Sequence, residues 1–168
     1  MSIDIREYRD GDLESCRDLW RELTERHRDI YASPTIGGAD PGQHFDTYLR
    51  RENLAGPWVV VDGTEVVGMG GLLLNGSEAE VEPVVVRSAY RSRGIGTRLL
   101  ERLKAEAKAR GVKQLSIRPV ARNVEAIALF HRAGFSILGH LDMFLELGGG
   151  GEGRWQAGIE IHGHRFLY

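Results

Sequence analysis

Between Val84 and Leu100 the chain reads VVVRSAYRSRGIGTRLL, an apolar run, a basic loop with two glycines, and then apolar residues at helical spacing. Gly94 and Gly96 carry no side chain, so the main chain there can approach a ligand and aim successive N–H groups at one point. Ile95, Leu99 and Leu103 share one helical face, which places the loop at a helix N-terminus whose partial positive charge favours an anion. Arg91 and Arg93 add full charge. A charge-assisted hydrogen bond contributes about 1.5–3 kcal/mol, so a few amides from Ser92 to Thr97 with one arginine suffice to anchor a pyrophosphate. Just upstream, Glu78, Glu80 and Glu82 alternate along the same predicted strand. Glu80 and Glu82 share a face with Val84 and Val86 unless Pro83 marks a bulge that re-aims one of them. A carboxylate in that position is a candidate proton acceptor, with Glu82 favoured over Glu80, and a solvated acidic face is the plainer alternative.

A second block, Asn123-Val124-Glu125-Ala126-Ile127-Ala128-Leu129-Phe130-His131-Arg132-Ala133-Gly134-Phe135, follows downstream. The pattern R-x-x-G-x-G between an apolar strand and an amphipathic helix, followed by N-x-x-A-x-x-L-F-x-x-x-G-F, resembles the two signatures of the GCN5-related N-acetyltransferase superfamily. The motif-bearing resemblance covers about Glu80 to Gly139. It implies an α/β (α+β) acyl-CoA N-acyltransferase fold, with a mixed sheet of six to seven strands flanked by about four helices. It also implies acetyl-CoA as co-substrate. The pantetheine arm would lie against the main chain of Val84, Val85 and Val86, and the loop Arg91, Ser92, Arg93, Gly94, Ile95, Gly96 and Thr97 would hold the pyrophosphate. Asn123 and Phe130 would complete the cofactor site.

The reaction so implied is direct attack of a neutral amine on the thioester carbonyl, polarised by a strand amide such as that of Val86. A primary amine of pKa ~10.4 is only about one part in 10³–10⁴ neutral at pH 7, so a proton acceptor is needed, and an unperturbed glutamate of pKa ~4.3 serves only through partial burial or a water chain. Two residues depart from the resemblance. Many members carry a tyrosine where Phe130 stands, and phenylalanine cannot protonate a departing thiolate. Ribosomal-protein N-terminal acetyltransferases usually carry a glutamate where Arg118 stands. Tyr31, His44 and Tyr48 fall in the region that walls the acceptor pocket in the family. An enzyme that acetylates a primary amine of a small molecule, peptide or protein is the first reading, and a non-catalytic acyl-CoA-binding regulatory domain the second. A dinucleotide-binding or P-loop domain ranks behind both, because the loop lacks the third glycine of one and the Gly-Lys-Ser/Thr of the other.

The remaining residues must position these groups. The chain has 168 residues and a formal net charge of −2, so one domain spanning 1–168 is expected and a broadly basic nucleic-acid surface is not. No apolar run approaches the ~20 residues of a membrane span and no secretory signal is evident, so a cytoplasmic protein without a membrane partner is expected. An amine acceptor is the expected partner, and a homodimer is compatible with the chain. Cys16 shares a helical stripe with Leu19, Trp20 and Leu23 and reads as a buried small hydrophobe. His162 and His164, at alternate positions of the last expected strand, lack the further ligands of a metal site, and no metal is expected. The expected order is β-α-α-β-β-β-α-β-α-β-β. Its strands include Phe135 to Leu147 and, after a glycine run from Gly148 to Gly153, Gly158 to Leu167; its first helix ends near Arg28.

Overall fold

The computed structural model describes residues 2–148 and 155–168. Its elements are β1 (Ile3–Glu7), α1 (Leu13–Tyr31), α2 (His44–Leu49), β2 (Leu54–Asp62), β3 (Glu65–Asn75), β4 (Glu78–Val86), α3 (Ile95–Ala109), β5 (Gln114–Ile117), α4 (Val124–Arg132), β6 (Ala157–Ile161) and β7 (His164–Leu167). Strands β1 to β5 form one sheet in sequence order, antiparallel as far as β4 and parallel between β4 and β5. The crossover helix α3 makes that parallel step possible, and Gly111 ends it at φ +75°, a conformation that glycine adopts without penalty.

Both faces of the sheet are covered, which explains why β2 and β3 read as nearly unbroken apolar runs instead of alternating. On one face α3 and α4 bury Leu99, Leu103 and Phe130 against Trp58, Leu72 and Val81. On the other, α1 and α2 bury Cys16, Leu19, Phe45 and Tyr48 against Val59, Met69 and Val85. Burial pushes the Cys16 thiol up to about 12, so it remains protonated and serves as packing. Helix α1 runs past Arg28 to Tyr31 because Ala32 adopts the left-handed conformation there and its N–H reaches the carbonyls of Arg28 and Asp29. Asp40 accepts the Gly42 N–H at 3.2 Å and Pro41 opens the turn that leads into α2, as the Asp-Pro pair predicts.

The mixed α/β fold agrees with expectation, but among the described residues its strands divide as five plus two and not as one sheet of six or seven. The stretch expected as a long strand, Phe135 to Leu147, forms no strand. Its alternation is genuine, yet β5 offers only four residues of edge, and Ile137, Phe144 and Leu147 stand exposed. The expected last strand, Gly158 to Leu167, is a hairpin: β6 and β7 pair antiparallel around His162 and Gly163, both at positive φ. That is the backbone of a two-residue primed turn, so the two histidines occupy a turn and the start of β7 instead of one strand face. Of the expected glycine run, Gly149 to Gly151 and Gly153 lie outside the described residues. Among the described residues no helix is long and apolar enough to cross a membrane, and no group of three or more His, Cys, Asp or Glu is placed to hold a metal ion.

The entry to α1 hangs on one carboxylate. Asp12 accepts both terminal nitrogens of Arg6, at 2.7 and 2.8 Å, and the Arg9 N–H at 2.8 Å, tying β1 to the turn before the helix. With the side chain 9% exposed, the Arg6 bonds hold its carboxyl below the usual carboxylate range. Asp12→Asn leaves Arg6 without its charge partner and is expected to lower unfolding free energy by about 2–3 kcal/mol in urea titration at pH 7. A carboxylate with a depressed folded pKa stabilises above its unfolded pKa and loses that contribution as pH falls through the folded value. The gap between native protein and Asp12→Asn should therefore close on acidification below about pH 4; a gap that stays constant contradicts this assignment.

Candidate functional site

Strand β4 carries the site because it leaves its neighbour part-way along. The β4–β5 ladder runs from Glu78 opposite Gln114 to Val81 opposite Ile117, and β4 then continues to Val86 without β5 beside it. A gap opens there between two strands that are parallel at their base. On the other side, the β3–β4 register shifts between Gly70, opposite Val84, and Leu72, opposite Val81. Glu82 and Pro83 thus stand against Gly71 alone, a two-against-one bulge. The bulge reverses which side chains face which layer. Val81 packs toward α3 before it, whereas Val84 and Val86 do so after it and Val85 turns into the α1–α2 core. The sequence condition on Pro83 is met, and Glu80 and Glu82 do not share a face with Val84 and Val86.

The main chain alternates in step. The Arg87 N–H donates to the Val67 carbonyl on β3 at 2.8 Å, so Val85 also directs its polar groups to β3 and Val84 and Val86 direct theirs into the gap. The Val86 carbonyl accepts Nε of Arg91 at 3.1 Å from the gap side. Of the three valines, Val84 and Val86 therefore offer N–H groups to a molecule lying in the gap, and Val85 contributes packing.

At the mouth of the gap the loop behaves as its glycines predict. Ser92 and Gly94 lie at φ +60° and +76°, and α3 begins with Arg98 N–H bonded to the Gly94 carbonyl at 3.1 Å. The amides of Ile95, Gly96 and Thr97 precede that bond in the first turn and so have no acceptor four residues back within the helix. Ser92 to Thr97 sit together at this helix end, in the place expected for an anion cradle. The arginines behave differently. Arg91 folds back to Val86 and to Glu22 of α1, at 3.4 Å, while Arg93 lies over the Tyr90 ring at 5.2 Å.

Glu80 and Glu82 extend on the α1–α2 side, each beside an arginine: Glu82 and Arg51 at 3.3 Å, Glu80 and Arg118 at 3.3 Å. The Tyr48 hydroxyl donates to the Glu82 carbonyl from beneath, and burial pushes its phenol pKa well up, with the Glu82 charge adding. Asn123 caps α4, its side chain accepting the Ala126 N–H at 3.2 Å. Phe130 is 8% exposed and meets Phe135 edge-on at 6.4 Å, inside the core and not on an open wall. Of the groups expected at the acceptor wall, Tyr48 is a core residue that holds the bulge, His44 bonds the Gly37 carbonyl at 3.1 Å, and Tyr31 carries the Arg122 guanidinium over its ring at 4.9 Å. Sequence reasoning did not single out Glu22, which accepts the Ser88 N–H at 2.6 Å and so anchors α1 to the loop. Only its place on the polar side of α1 hinted at a partner.

A sequence profile described as Acetyltransferase (GNAT) family matches residues 13–135, well over half of the chain. No curated protein matches the sequence. Among solved structures, a transcriptional regulator from Bacillus halodurans C-125 is similar at 25% identity and TM-score 0.65, over 86% of this chain and 100% of that one. The ribosomal-protein-S18-alanine N-acetyltransferase from Escherichia coli is similar at 21% identity and TM-score 0.63, over 79% and 77%. AAC(6')-Iy, solved with a bisubstrate analogue, CoA-S-monomethyl-acetylneamine, is similar at 15% identity and TM-score 0.64, over 87% and 99%.

The bulge depends on the absence of a side chain at Gly71, because a Cβ there would collide with the Tyr48 hydroxyl and approach the Glu82 carbonyl to 3.3 Å. Gly71→Ala is expected to cost about 2–3 kcal/mol, and Tyr48→Phe about 1 kcal/mol. In the double variant the collision is relieved, so the combined cost in denaturant titration should fall below the sum of the two. Strict additivity would show that Tyr48 and Gly71 do not meet at the bulge.

Proposed function

Because the chain belongs to the acetyltransferase (GNAT) family, we propose that it transfers the acetyl group of acetyl-CoA to a primary amine of a small molecule, peptide or protein. Acyl transfer follows from the family; the acetyl donor and the amine acceptor are what we infer for this chain. The observation that carries it is the parting of β4 from β5 beside a loop that opens a helix. Such a gap takes an extended, amide-bearing arm along β4, and the helix end takes a pyrophosphate. The neighbour AAC(6')-Iy, solved with a CoA-linked analogue, supports the same class of ligand on this fold.

Acetyl-CoA supplies a thioester whose carbonyl carbon the amine nitrogen attacks; the C–N bond forms, the C–S bond breaks and CoA leaves as the thiolate. The protein's part is positional and electrostatic. Val84 and Val86 hold the arm through their main chain, Ser92 to Thr97 hold the diphosphate through N–H groups, and the Val86 amide faces the developing oxyanion. Glu82 takes the proton of the incoming ammonium, directly or through water, from the α2 side of β4. Glu80 lies two residues earlier on the same side and is the second candidate. With phenylalanine at 130, the thiolate takes its proton from the ammonium of the adduct.

Two measurements test this reading. Gly96→Glu puts a carboxylate in the cradle, while the end of Leu129, 3.0 Å from a Cβ at that position, can yield. Calorimetric titration should show acetyl-CoA binding at least tenfold weaker in a variant that remains folded; unchanged affinity contradicts the phosphate-loop assignment. Glu82→Gln is expected to lower kcat/KM by about 10–10³, read as release of CoA thiol, with the loss shrinking as pH rises and the amine deprotonates unaided. The same profile in Glu80→Gln instead would move the base by two residues. Acetyl-CoA that raises the melting temperature but supports no turnover across a broad amine panel would favour the non-catalytic binding domain, the reading to which Phe130 lends weight.

A further inference from the structure

Four charged side chains stand in a row where β4 and β5 part. Arg51 follows α2 and reaches Glu82; Glu80 sits two residues earlier on β4, and Arg118, just beyond β5, reaches it. Glu80 lies opposite Ser116 and Val81 opposite Ile117, so Arg118 follows at the end of the ladder, where the gap begins. Each carboxylate that could receive the amine's proton is therefore already paired with a guanidinium.

That pairing constrains the acceptor. An amine with no other charge, arriving as ammonium at Glu82, competes with Arg51 for the carboxylate and leaves the guanidinium without a partner. A molecule that brings its own carboxylate beside the ammonium can exchange partners: its ammonium takes Glu82, its carboxylate takes Arg51, and every charge stays paired. Arginine's planar fork suits a carboxylate in two-point contact. The exchange is easy because the Arg51 and Glu82 side chains are 45% and 36% exposed, and exposed pairs hold weakly. Arg118, at 73% exposed, has the freedom to serve a second acidic group.

We propose that the acceptor is an amine with a carboxylate one or two carbons away, the arrangement of a free α-amino acid, and that Arg51 is the residue that selects it. The proposal rests on the acetyltransferase reading above, and it separates free amino acids from peptide N-termini, whose α-carboxyl is an amide.

The test measures CoA thiol release from acetyl-CoA with a panel of free L-α-amino acids, each run beside its carboxamide and its decarboxylated amine. At least one free acid should exceed its carboxamide tenfold or more in kcat/KM, mainly through KM. Arg51→Gln should collapse that ratio toward one, while Arg51→Lys, which keeps charge but loses the fork, should recover only part of it. Turnover of carboxamides or simple amines equal to or better than the acids overturns the proposal and leaves the acetyltransferase reading intact. So does a preference for acids that survives Arg51→Gln, or acetyl-CoA binding with no acid turned over. A protein that does not bind acetyl-CoA in calorimetry fails the underlying reading instead.

Discussion

The bulge at Glu82 and Pro83 is the constraint on which the rest of the site depends. Without it β4 would keep one face toward α3 along its whole length, and the carboxylates and the ligand-side valines would compete for the same side of the strand. With it, the carboxylates lie on the α1–α2 side, the valine side chains after the bulge pack toward α3, and the polar groups of Val84 and Val86 turn into the gap. Two features of neighbouring elements hold it. Gly71 on β3 leaves the space, and the Tyr48 hydroxyl, buried under α2, donates to the Glu82 carbonyl that the bulge turns toward it. The unmet backbone group that a bulge creates is thereby satisfied in the core, where leaving it unpaired would cost about 1–3 kcal/mol.

From this follows a division of labour between the layers. The α3–α4 layer supplies the helix end, and Leu129 of α4 comes close to Gly96 there. The α1–α2 layer supplies Arg51, just after α2, which pairs with Glu82, and Glu22 on α1, which accepts the Ser88 N–H and pairs with Arg91. A substitution on α1 can thus alter the loop that opens α3 although the two helices lie on opposite faces of the sheet.

Much of this was legible in the sequence for a physical reason: local chemistry decided it. The Asp-Pro start of α2, Gly111 after α3, Asn123 before α4, and the strand–loop–helix run from Val84 each depend on residues within a few positions, and the run from Val84 formed as read. The possibility of a bulge was legible in Pro83, but its direction was not, because Gly71 and Tyr48 fix it from β3 and α2. Arg91 was read as a phosphate ligand from its charge and its place in R-x-x-G-x-G; its contacts with Val86 and Glu22 were not legible, because they depend on where α1 passes. The strand read into Phe135 to Leu147 failed for a related reason. Alternation shows that a segment can be a strand, whereas pairing requires an edge of matching length, and β5 ends at Ile117. The hairpin at His162-Gly163 was present in the sequence as a turn pair, hidden by a histidine where asparagine is the usual sign.

One ligand is expected to span the gap along β4 and the loop before α3. Backbone amide NMR of the whole chain, titrated with acetyl-CoA, tests it at the atoms concerned. The largest shifts are expected at the amides of Val84 and Val86 and at those of Ser92 to Thr97, saturating together at one affinity. Shifts confined to the loop, or centred away from both segments, would contradict it.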